Sequence, residues 1–487
     1  MSARQTVLKY APIFLALGIF SLFMRPPVPL DETRYLAVAW QMHIDGDWLV
    51  PHLNGNPYSQ KPPLFFWLIN AGWTVFGVNE WWPRLLPALA TLLTLGLVAR
   101  FASNLSAATS SERFRIRPEI AVALLVGSLA WVFYSTALLF DMLMALFTTM
   151  GWLGVLRAQR QLRGGWPLVA IAMGLGILCK GPVILLYILP LALFAPFFPL
   201  ANPEQTQVSK RSNSSKSKWY LQMLASLLLA ASIALAWALP AANRGGSAYA
   251  DDILWGQTAG RMKESFSHDH PWWWYLPISL ALLLPWIFVP SFWRGTNRAW
   301  ANPSTRWLLL SAALPFLIFS AMSGKQPHYL IPLMPLLAIA ATSDTTVNSS
   351  TKAFSGVWKR MRWLMPSILL IALLIVPNSV LQPFRMQEMA QRVHALQEQN
   401  IAVLYTGKYH GDLHFLGRLT TSLHQSRDLT KLPNWLKKHG RGYLIVTDRQ
   451  AERLSIITPE LLKKAEFEQL YRTGKMYLID LAHVELE

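Results

Sequence analysis

Long apolar runs alternate with short polar connections along most of this chain, up to about residue 381. Windows of about 19 residues give roughly eleven candidate membrane spans, because about 20 apolar residues are needed to cross the hydrocarbon core of a bilayer. The pattern therefore predicts an all-α, multi-pass membrane protein. The predicted spans are residues 9–24, 83–102, 118–138, 142–157, 166–180, 182–199, 219–240, 273–292, 307–322, 329–343 and 363–381.

The last part of the chain has the pattern of a soluble domain. Three β-rich runs, IAVLYTG, GYLIVTD and KMYLIDL, predict strands, and LPNWLKKHG between the first two predicts a helix. These elements predict a small α/β domain. The expected organisation is a membrane domain over residues 1–381 and an α/β domain over residues 382–487.

Basic residues give the chain a net charge of +18, but they fall in short clusters between the apolar runs. Nucleic-acid binding would need one basic patch, so the chain is not expected to bind nucleic acid. Every even-numbered connection is basic, which by the positive-inside rule places it in the cytoplasm. We therefore expect an N-terminus inside and the α/β domain outside, with the first apolar run kept as an anchor because no small-residue cleavage site follows it.

The first outward connection, PLDETRYLAVAWQMHIDGDWLVPHLNGNPYSQKPPLFFWL, is unusually rich in charge for this chain. Asp31 precedes a predicted helix that would expose one apolar stripe to the membrane interface. The simplest interpretation is that Asp31 and Glu32 complement the helix N-terminus. Arg34 and Lys61 in the same loop favour a second interpretation, in which the loop binds a polar substrate presented by lipid.

Three other outward connections carry isolated ionisable residues. Asp141 and Lys180 lie at tight helix junctions, and Lys325, His328 and Tyr329 lie in SGKQPHYLIP. A charge at such a place is costly unless it is solvated or paired. The alternatives are structural: a helix cap for Asp141, a snorkelling side chain for Lys180 and a hydrogen-bonded ring for His328.

The long seventh connection contains Arg261 and a His268-Asp269-His270 triplet before WWWY. The triplet has metal-binding residue types, but three sequence neighbours seldom point at one ion. A divalent metal is thus left open and not favoured, and no other cofactor is expected. The aromatic run at 272–275 is typical of a membrane-interface belt.

The motifs resemble those of a known family. The DETRY and KPPL elements, followed by FGVNEWWPRL, resemble the first outer loop of the GT-C glycosyltransferases, which include protein O-mannosyltransferases and bacterial aminoarabinose transferases acting on lipid A. GLGILCKGP, HPWWWYLP and KQPHYLIPLMP are similar to later landmarks. The resemblance covers about residues 8–343 and implies a GT-C membrane fold in the bacterial inner membrane. It also implies sugar transfer from a polyprenyl phosphate carrier to an acceptor outside, such as a glycolipid.

Carried over residue by residue, the resemblance implies catalytic roles for three acids: Asp31, Glu32 and Asp141. The residues expected to bind substrate are Arg34, Tyr35, Lys61, Lys180, Arg261, Lys325, His328 and Tyr329. Relatives commonly carry Glu before the KPP lysine, whereas this chain has Gln60 there, which disfavours a metal at that position. A lipid or glycolipid transporter is the alternative function, although transporters tend to place ionisable groups near the midplane.

Overall fold

Helices form most of the computed structural model, which describes residues 2–108, 116–198, 213–260, 270–343, 350–375, 378–453 and 459–483. The helices up to residue 260 are α1 (Ala3–Met24), α2 (Glu32–Asp45), α3 (Leu64–Phe76), α4 (Trp81–Ala108), α5 (Pro118–Val126), α6 (Leu129–Tyr134), α7 (Asp141–Gln159), α8 (Gly165–Lys180), α9 (Val183–Phe194), α10 (Asn213–Gly245) and α11 (Ser247–Asp251), with a π-helix over Asp252–Gly260.

The later helices are shorter on average and alternate with strands near the C-terminus. They are α12 (Tyr275–Leu282), α13 (Pro290–Ala301), α14 (Pro303–Ala321), α15 (Met334–Ala341), α16 (Ser350–Ile375), α17 (Asn378–Leu381), α18 (Gln387–Glu398), α19 (Leu432–His439), α20 (Asp448–Ala451) and α21 (Pro459–Lys463). The strands are β1 (His52–Leu53), β2 (Asn56–Pro57), β3 (Ala402–Thr406), β4 (His424–Ser426), β5 (Gly442–Thr447), β6 (Phe467–Tyr471) and β7 (Gly474–Asp480).

These elements fall into two compact units. The first unit comprises residues 1–21, 59–65 and 84–372, and the second comprises residues 22–58, 66–83 and 373–487. The second unit therefore joins most of the first outward connection to the C-terminal sheet. The division into membrane and outward-facing domains at residue 381 stays a prediction.

Three helices among the described residues are long and apolar enough to cross a membrane: Ala3–Met24, Trp81–Ala107 and Lys216–Gly245. A fourth span results if α13 and α14, which are bent by 103°, are counted together. Several other predicted spans are found as shorter apolar helices. The predicted number of about eleven spans is not confirmed.

Packing explains why the predicted span over residues 118–138 is broken. The α5 helix ends at Val126, and the indole of Trp286 packs so closely on Gly127 that a Cβ there would lie 2.4 Å from the ring. The Trp286 Nε1–H donates to the Leu124 carbonyl over 2.7 Å, near the end of α5. If the helix continued past Val126 with a larger residue at position 127, the Trp286 side chain would not fit.

Helices α7 and α8 are antiparallel neighbours that approach unusually closely. A Cβ at Gly154 would lie 2.8 Å from the Gly165 carbonyl oxygen, so only glycine fits between the two backbones. Small residues at such crossings allow the backbones of membrane helices to approach. Because the helices are antiparallel, the start of α7 at Asp141 lies beside the end of α8 at Lys180.

The C-terminal sheet has the strand order β4-β3-β5-β7-β6. Strand β3 is parallel to both β4 and β5, whereas β7 is antiparallel to β5 and β6. Every residue of β5 is buried, which explains its continuous apolar run. The predicted strands and the predicted helix are all present, as β3, β5, β7 and α19, and the short strands β4 and β6 are additions.

Candidate active site

A buried ion pair marks the common end of α7 and α8 in the first unit. The Lys180 Nζ donates to Asp141 Oδ1 over 2.7 Å, and both side chains are largely buried. Gly181 adopts a left-handed φ of 82° and ends α8 directly after Lys180. Asp141 is the first residue of α7, after the N-cap position at Phe140, and Lys180 points its ammonium at this buried carboxylate.

A short 3₁₀ helix, Pro327–Leu333, covers the ion pair from one side. The Lys180 ammonium lies 5.0 Å from the centroid of the Tyr329 ring, in a cation–π arrangement. The Tyr187 hydroxyl donates to the Tyr329 carbonyl over 2.7 Å and holds this segment in place. The sequence prediction that Lys180 and Tyr329 share a site is consistent with this geometry.

Lys61 lies in the same part of the first unit. The Phe65 ring packs against Phe140, with centroids 4.7 Å apart, so the KPPLF segment meets the start of α7. The Lys61 Nζ itself donates to the Gln60 carbonyl over 3.3 Å.

Lys325 and His328 lie shortly before Tyr329 in the sequence. The Lys325 side chain is buried and donates to the carbonyls of His270, over 2.7 Å, and Met322. The His328 ring packs edge-on against Tyr329, with centroids 4.9 Å apart. Lys325 is thus held by backbone oxygens, and a direct contact of either residue with substrate stays a prediction.

The predicted residues of the seventh connection lie mostly outside the described residues. Arg261, His268 and Asp269 are among these, so their predicted roles stay predictions. The His270 ring stacks on Trp274, with centroids 4.4 Å apart. Within the described ranges, no group of three His, Cys, Asp or Glu residues is arranged to hold a metal ion.

The second unit contains a separate group of charges at the start of α2. Asp31 Oδ1 accepts a hydrogen bond of 2.8 Å from Arg34 Nη2, and the Asp31 side chain is 55% exposed. Asp31 occupies the position before the helix, but its side chain makes no capping hydrogen bond. Both acids therefore lie at the N-terminus of α2 as the simplest interpretation expects, but Asp31 gives no side-chain cap and its carboxylate lies beside a guanidinium.

Glu32 has a different environment from its neighbour. The Arg25 guanidinium donates to both Glu32 oxygens, over 2.7 and 2.8 Å, and the Val28 amide donates to Oε2 over 2.8 Å. This bidentate contact buries the carboxylate. The geometry is that of a residue that holds the loop in shape.

The α2 helix is covered by its own unit rather than presenting one apolar stripe. Five consecutive residues, 36–40, are buried, and a helix buried over five residues in succession has no exposed face there. Tyr35 is also buried, with its ring 6.5 Å from Phe66. The single apolar stripe predicted for this helix is therefore wrong, and a direct substrate contact for Tyr35 stays a prediction.

Asp412 is a buried acid beside the start of α2 that the sequence interpretation missed. Its Oδ1 accepts hydrogen bonds from the Thr33 hydroxyl over 2.8 Å and the Leu30 amide over 3.1 Å. Its Oδ2 accepts from the Tyr471 hydroxyl over 2.8 Å. Burial and the charge of Asp412 raise the pKa of Tyr471, so the hydroxyl stays a donor. This carboxylate joins the start of α2 to strand β6.

The sequence gives no specific signal for this contact of Asp412. The acid follows Gly411 in the mixed segment HGDLHF. Gly411 has a φ of 89°, and a Cβ there would lie 2.7 Å from the Ala37 side chain. The glycine thus allows the close approach to α2, but this packing is visible only in the structure.

The sequence of this chain is similar to those of known glycosyltransferases. Residues 60–237 match the family described as dolichyl-phosphate-mannose-protein mannosyltransferase. An undecaprenyl phosphate-alpha-4-amino-4-deoxy-L-arabinose arabinosyl transferase of Pseudomonas paraeruginosa is 30% identical over 348 residues, which cover 69% of this chain. The chain spans 59% of the length of that relative.

Solved structures show the same fold. ArnT from Cupriavidus metallidurans, in a crystal structure bound to undecaprenyl phosphate, superimposes with a TM-score of 0.74 at 18% identity over 97% of both chains. The oligosaccharyltransferase of Archaeoglobus fulgidus gives a TM-score of 0.55 at 11% identity over 91% of this chain and 69% of the other. The chain therefore has the GT-C fold, and it is similar in sequence and structure to glycosyltransferases of the aminoarabinose transferase type.

Proposed function

We propose that this chain is an integral-membrane glycosyltransferase that moves a sugar from a polyprenyl phosphate to an acceptor on the outer face of the bacterial inner membrane. The acceptor that the similarity favours is a glycolipid such as lipid A. The observation that carries the proposal is the buried Asp141–Lys180 pair, which lies beside the Tyr329 ring and at the start of α7, where Phe65 of the KPPLF segment packs on Phe140. The names of the similar proteins support an undecaprenyl phosphate donor.

The two lysines suit a phosphate leaving group. Transfer breaks the bond between the anomeric carbon and the phosphate oxygen, and negative charge develops on the departing polyprenyl phosphate. Lys61 and Lys180 can balance this charge in a site where burial limits screening by water. Asp141 holds the Lys180 ammonium in place through their hydrogen bond, and we propose that it is the second catalytic acid.

The acceptor oxygen forms the new bond to the anomeric carbon. If the acceptor group is a hydroxyl, its proton must go to a base, and we propose that Asp31 is that base. Its exposure and its single ion pair with Arg34 leave the carboxylate accessible at the surface of its unit. Arg34 is proposed to bind phosphate as well. Glu32, predicted as catalytic, is proposed to act by holding the loop through Arg25.

The remaining predicted residues are proposed as substrate contacts. They are Tyr35, Arg261, Lys325, His328 and Tyr329. Tyr329 has the most direct support among them, because its ring contacts the Lys180 ammonium.

The direct test uses purified protein and a polyprenyl phosphate donor with a labelled sugar. Transfer of label to a glycolipid acceptor, with release of free polyprenyl phosphate, is the expected result. The matched control is Asp141→Asn, which removes the charge that faces Lys180 and keeps the size of the side chain. Movement of intact donor across a vesicle membrane without bond cleavage would instead establish the transporter alternative.

A further inference from the structure

A polar pocket opens in the second unit, where strands β3 and β4 of the C-terminal sheet end. Its volume is about 260 Å³, and its lining residues are Gly407, Lys408, Gln425, Ser426 and Arg427. Strands β3 and β4 are parallel, with Thr406 paired to Ser426. Lys408 and Arg427 therefore leave the same edge of the sheet from adjacent strands.

The parallel pairing of β3 and β4 places the pocket at the carboxyl ends of these two strands. In open α/β sheets, ligands bind outside the carboxyl ends of the strands. Gly407 has a φ of 79° and donates to the Ser426 carbonyl over 2.7 Å, which keeps the two strand ends together.

The chemistry of the pocket is cationic. Lys408 and Arg427 are exposed, and neither has a hydrogen bond or an ion pair from its side chain within the described part of the chain. Gln425 accepts from the Tyr409 amide through Oε1 over 3.1 Å, which leaves its NH₂ group as a donor. No carboxylate lines the pocket. The carboxylate of the nearby Asp428 accepts a hydrogen bond from the Thr430 hydroxyl over 2.6 Å.

We propose that this pocket binds a phosphate group on a saccharide of the acceptor glycolipid. An arginine fork binds two phosphate oxygens at once, and a lysine supplies a compact charge beside it. The volume accommodates a phosphate and part of the sugar that carries it, and is smaller than a typical cavity for a drug-sized ligand. The assignment to the acceptor rests on the proposed function, whereas phosphate binding by the pocket does not.

Binding is tested on the full-length protein in detergent, with polyprenyl phosphate present so that the proposed donor site is occupied. The calorimetric probes are glucosamine 1-phosphate, glucosamine and inorganic phosphate. We expect glucosamine 1-phosphate to bind at one site more tightly than inorganic phosphate, with an affinity that falls as salt rises, and glucosamine to show no binding. The double variant Lys408→Ala/Arg427→Ala should weaken binding about tenfold or more.

The matched control is Arg453→Ala/Lys464→Ala, which removes one Arg and one Lys at exposed positions that do not line the pocket. This variant should bind like the parent. Equal binding of the sugar phosphate by the Lys408/Arg427 variant would overturn the proposal. Tighter binding of inorganic phosphate than of the sugar phosphate would also overturn it, because the pocket would then hold a free ion rather than a saccharide.

Transfer kinetics separate this proposal from the proposed function. The Lys408/Arg427 variant should raise the KM for a phosphorylated acceptor and leave the donor KM and kcat unchanged. Lost phosphate binding with an unchanged acceptor KM would overturn the assignment to the acceptor. A parent protein that binds the sugar phosphate but transfers no sugar would overturn the proposed function while supporting the phosphate pocket.

Discussion

At the scale of single residues, neighbouring charges in this chain have different environments. Asp31 is half exposed beside a guanidinium, whereas Glu32 is buried and accepts hydrogen bonds from the Arg25 guanidinium and the Val28 amide. Asp141 and Lys180 bury their charges only because each has the other as partner. The sequence shows the same residue types in all these places, so the expected effect of a substitution depends on the contacts.

Lys61→Ala should weaken use of the polyprenyl phosphate donor. Loss of a charge-assisted contact to phosphate typically costs about 1.5 to 3 kcal/mol, which is roughly a 10- to 100-fold effect. Lys61→Arg should restore part of the loss, since a planar fork replaces a compact charge. The measurement is the donor KM in a steady-state transfer assay, with the exposed Lys437→Ala as control. Unchanged donor kinetics in Lys61→Ala would remove this residue from the site.

Asp31→Asn should impair sugar transfer, whereas Glu32→Gln should impair the stability of the fold. Asp31→Asn should lower single-turnover transfer by on the order of 10² to 10⁴ fold. Its stability should hardly change, because an exposed ion pair contributes only about 0 to 1 kcal/mol. Glu32→Gln should reduce the free energy of unfolding by about 3 to 5 kcal/mol, since it leaves the Arg25 charge buried without its partner.

Turnover normalised to folded protein, together with thermal unfolding, separates the two effects. If Asp31→Asn retains more than roughly a third of normal turnover, which lies outside the range for a general base, the base is elsewhere and Asp141 is the next candidate.

At the scale of elements, the start of α2 is held by the C-terminal sheet. Asp412 reaches Thr33 across 379 positions of sequence and Tyr471 on strand β6. The loop before α2 and the C-terminal sheet therefore belong to one unit rather than to two independent modules. A substitution in the sheet should therefore change the stability of the loop before α2.

Asp412→Asn tests that coupling. The amide has one acceptor oxygen where the carboxylate had two, so at least one buried hydroxyl or amide loses its partner, at a cost of about 1 to 3 kcal/mol. We expect faster hydrogen exchange over residues 28–36 and slower transfer. The exposed Asp428→Asn in the same unit is the control and should change neither. Full protection of the loop in Asp412→Asn would contradict this role.

The segment that contains Asp412 should also make stability depend on pH. Burial lowers the pKa of His414 to about 4, and its ring contacts the Tyr409 hydroxyl over 2.8 Å. A lowered histidine pKa means that the unfolded chain binds the proton more readily, so stability is complete above about pH 6.5 and falls as the pH drops towards 4. Burial lowers the pKa of His410 and His424 in the same direction.

For His414 alone, the loss at pH 5 relative to pH 7 should be about 2 kcal/mol. Denaturant unfolding of the parent and of His414→Phe at both pH values measures it. The parent should lose more stability than the variant between the two conditions. An equal loss in both proteins would mean that His414 is not the titrating group.

At the scale of the whole molecule, the alternating charge pattern predicts which side of the membrane each connection and the C-terminal domain face. An alkaline phosphatase reporter fused after Glu487 should be active, and one in the SNSSKS loop should be inactive, because the enzyme works only outside the cytoplasm. Activity in the loop fusion and not at the C-terminus would reverse the predicted topology. It would also place Asp31 and Lys61 on the wrong side for an outward-facing acceptor.

The sequence by itself determined the class of the protein and the positions of many elements. Run length and periodicity are local properties, and they were enough to predict a helical membrane protein with a C-terminal α/β domain, including β3, β5, β7 and α19. The DETRY and KPP motifs were specific enough to predict the fold family, because they combine rare charged residues at defined spacing.

Tertiary structure alone decided which charged residues pair and where helices break. Asp141 and Lys180 are 39 residues apart, and their contact follows from the close glycine-mediated packing of α7 on α8. The break after α5 depends on Trp286, a side chain more than a hundred residues away. Local patterns report which faces are buried, but the partner that covers a face is chosen by packing between distant segments, and no periodicity encodes that choice.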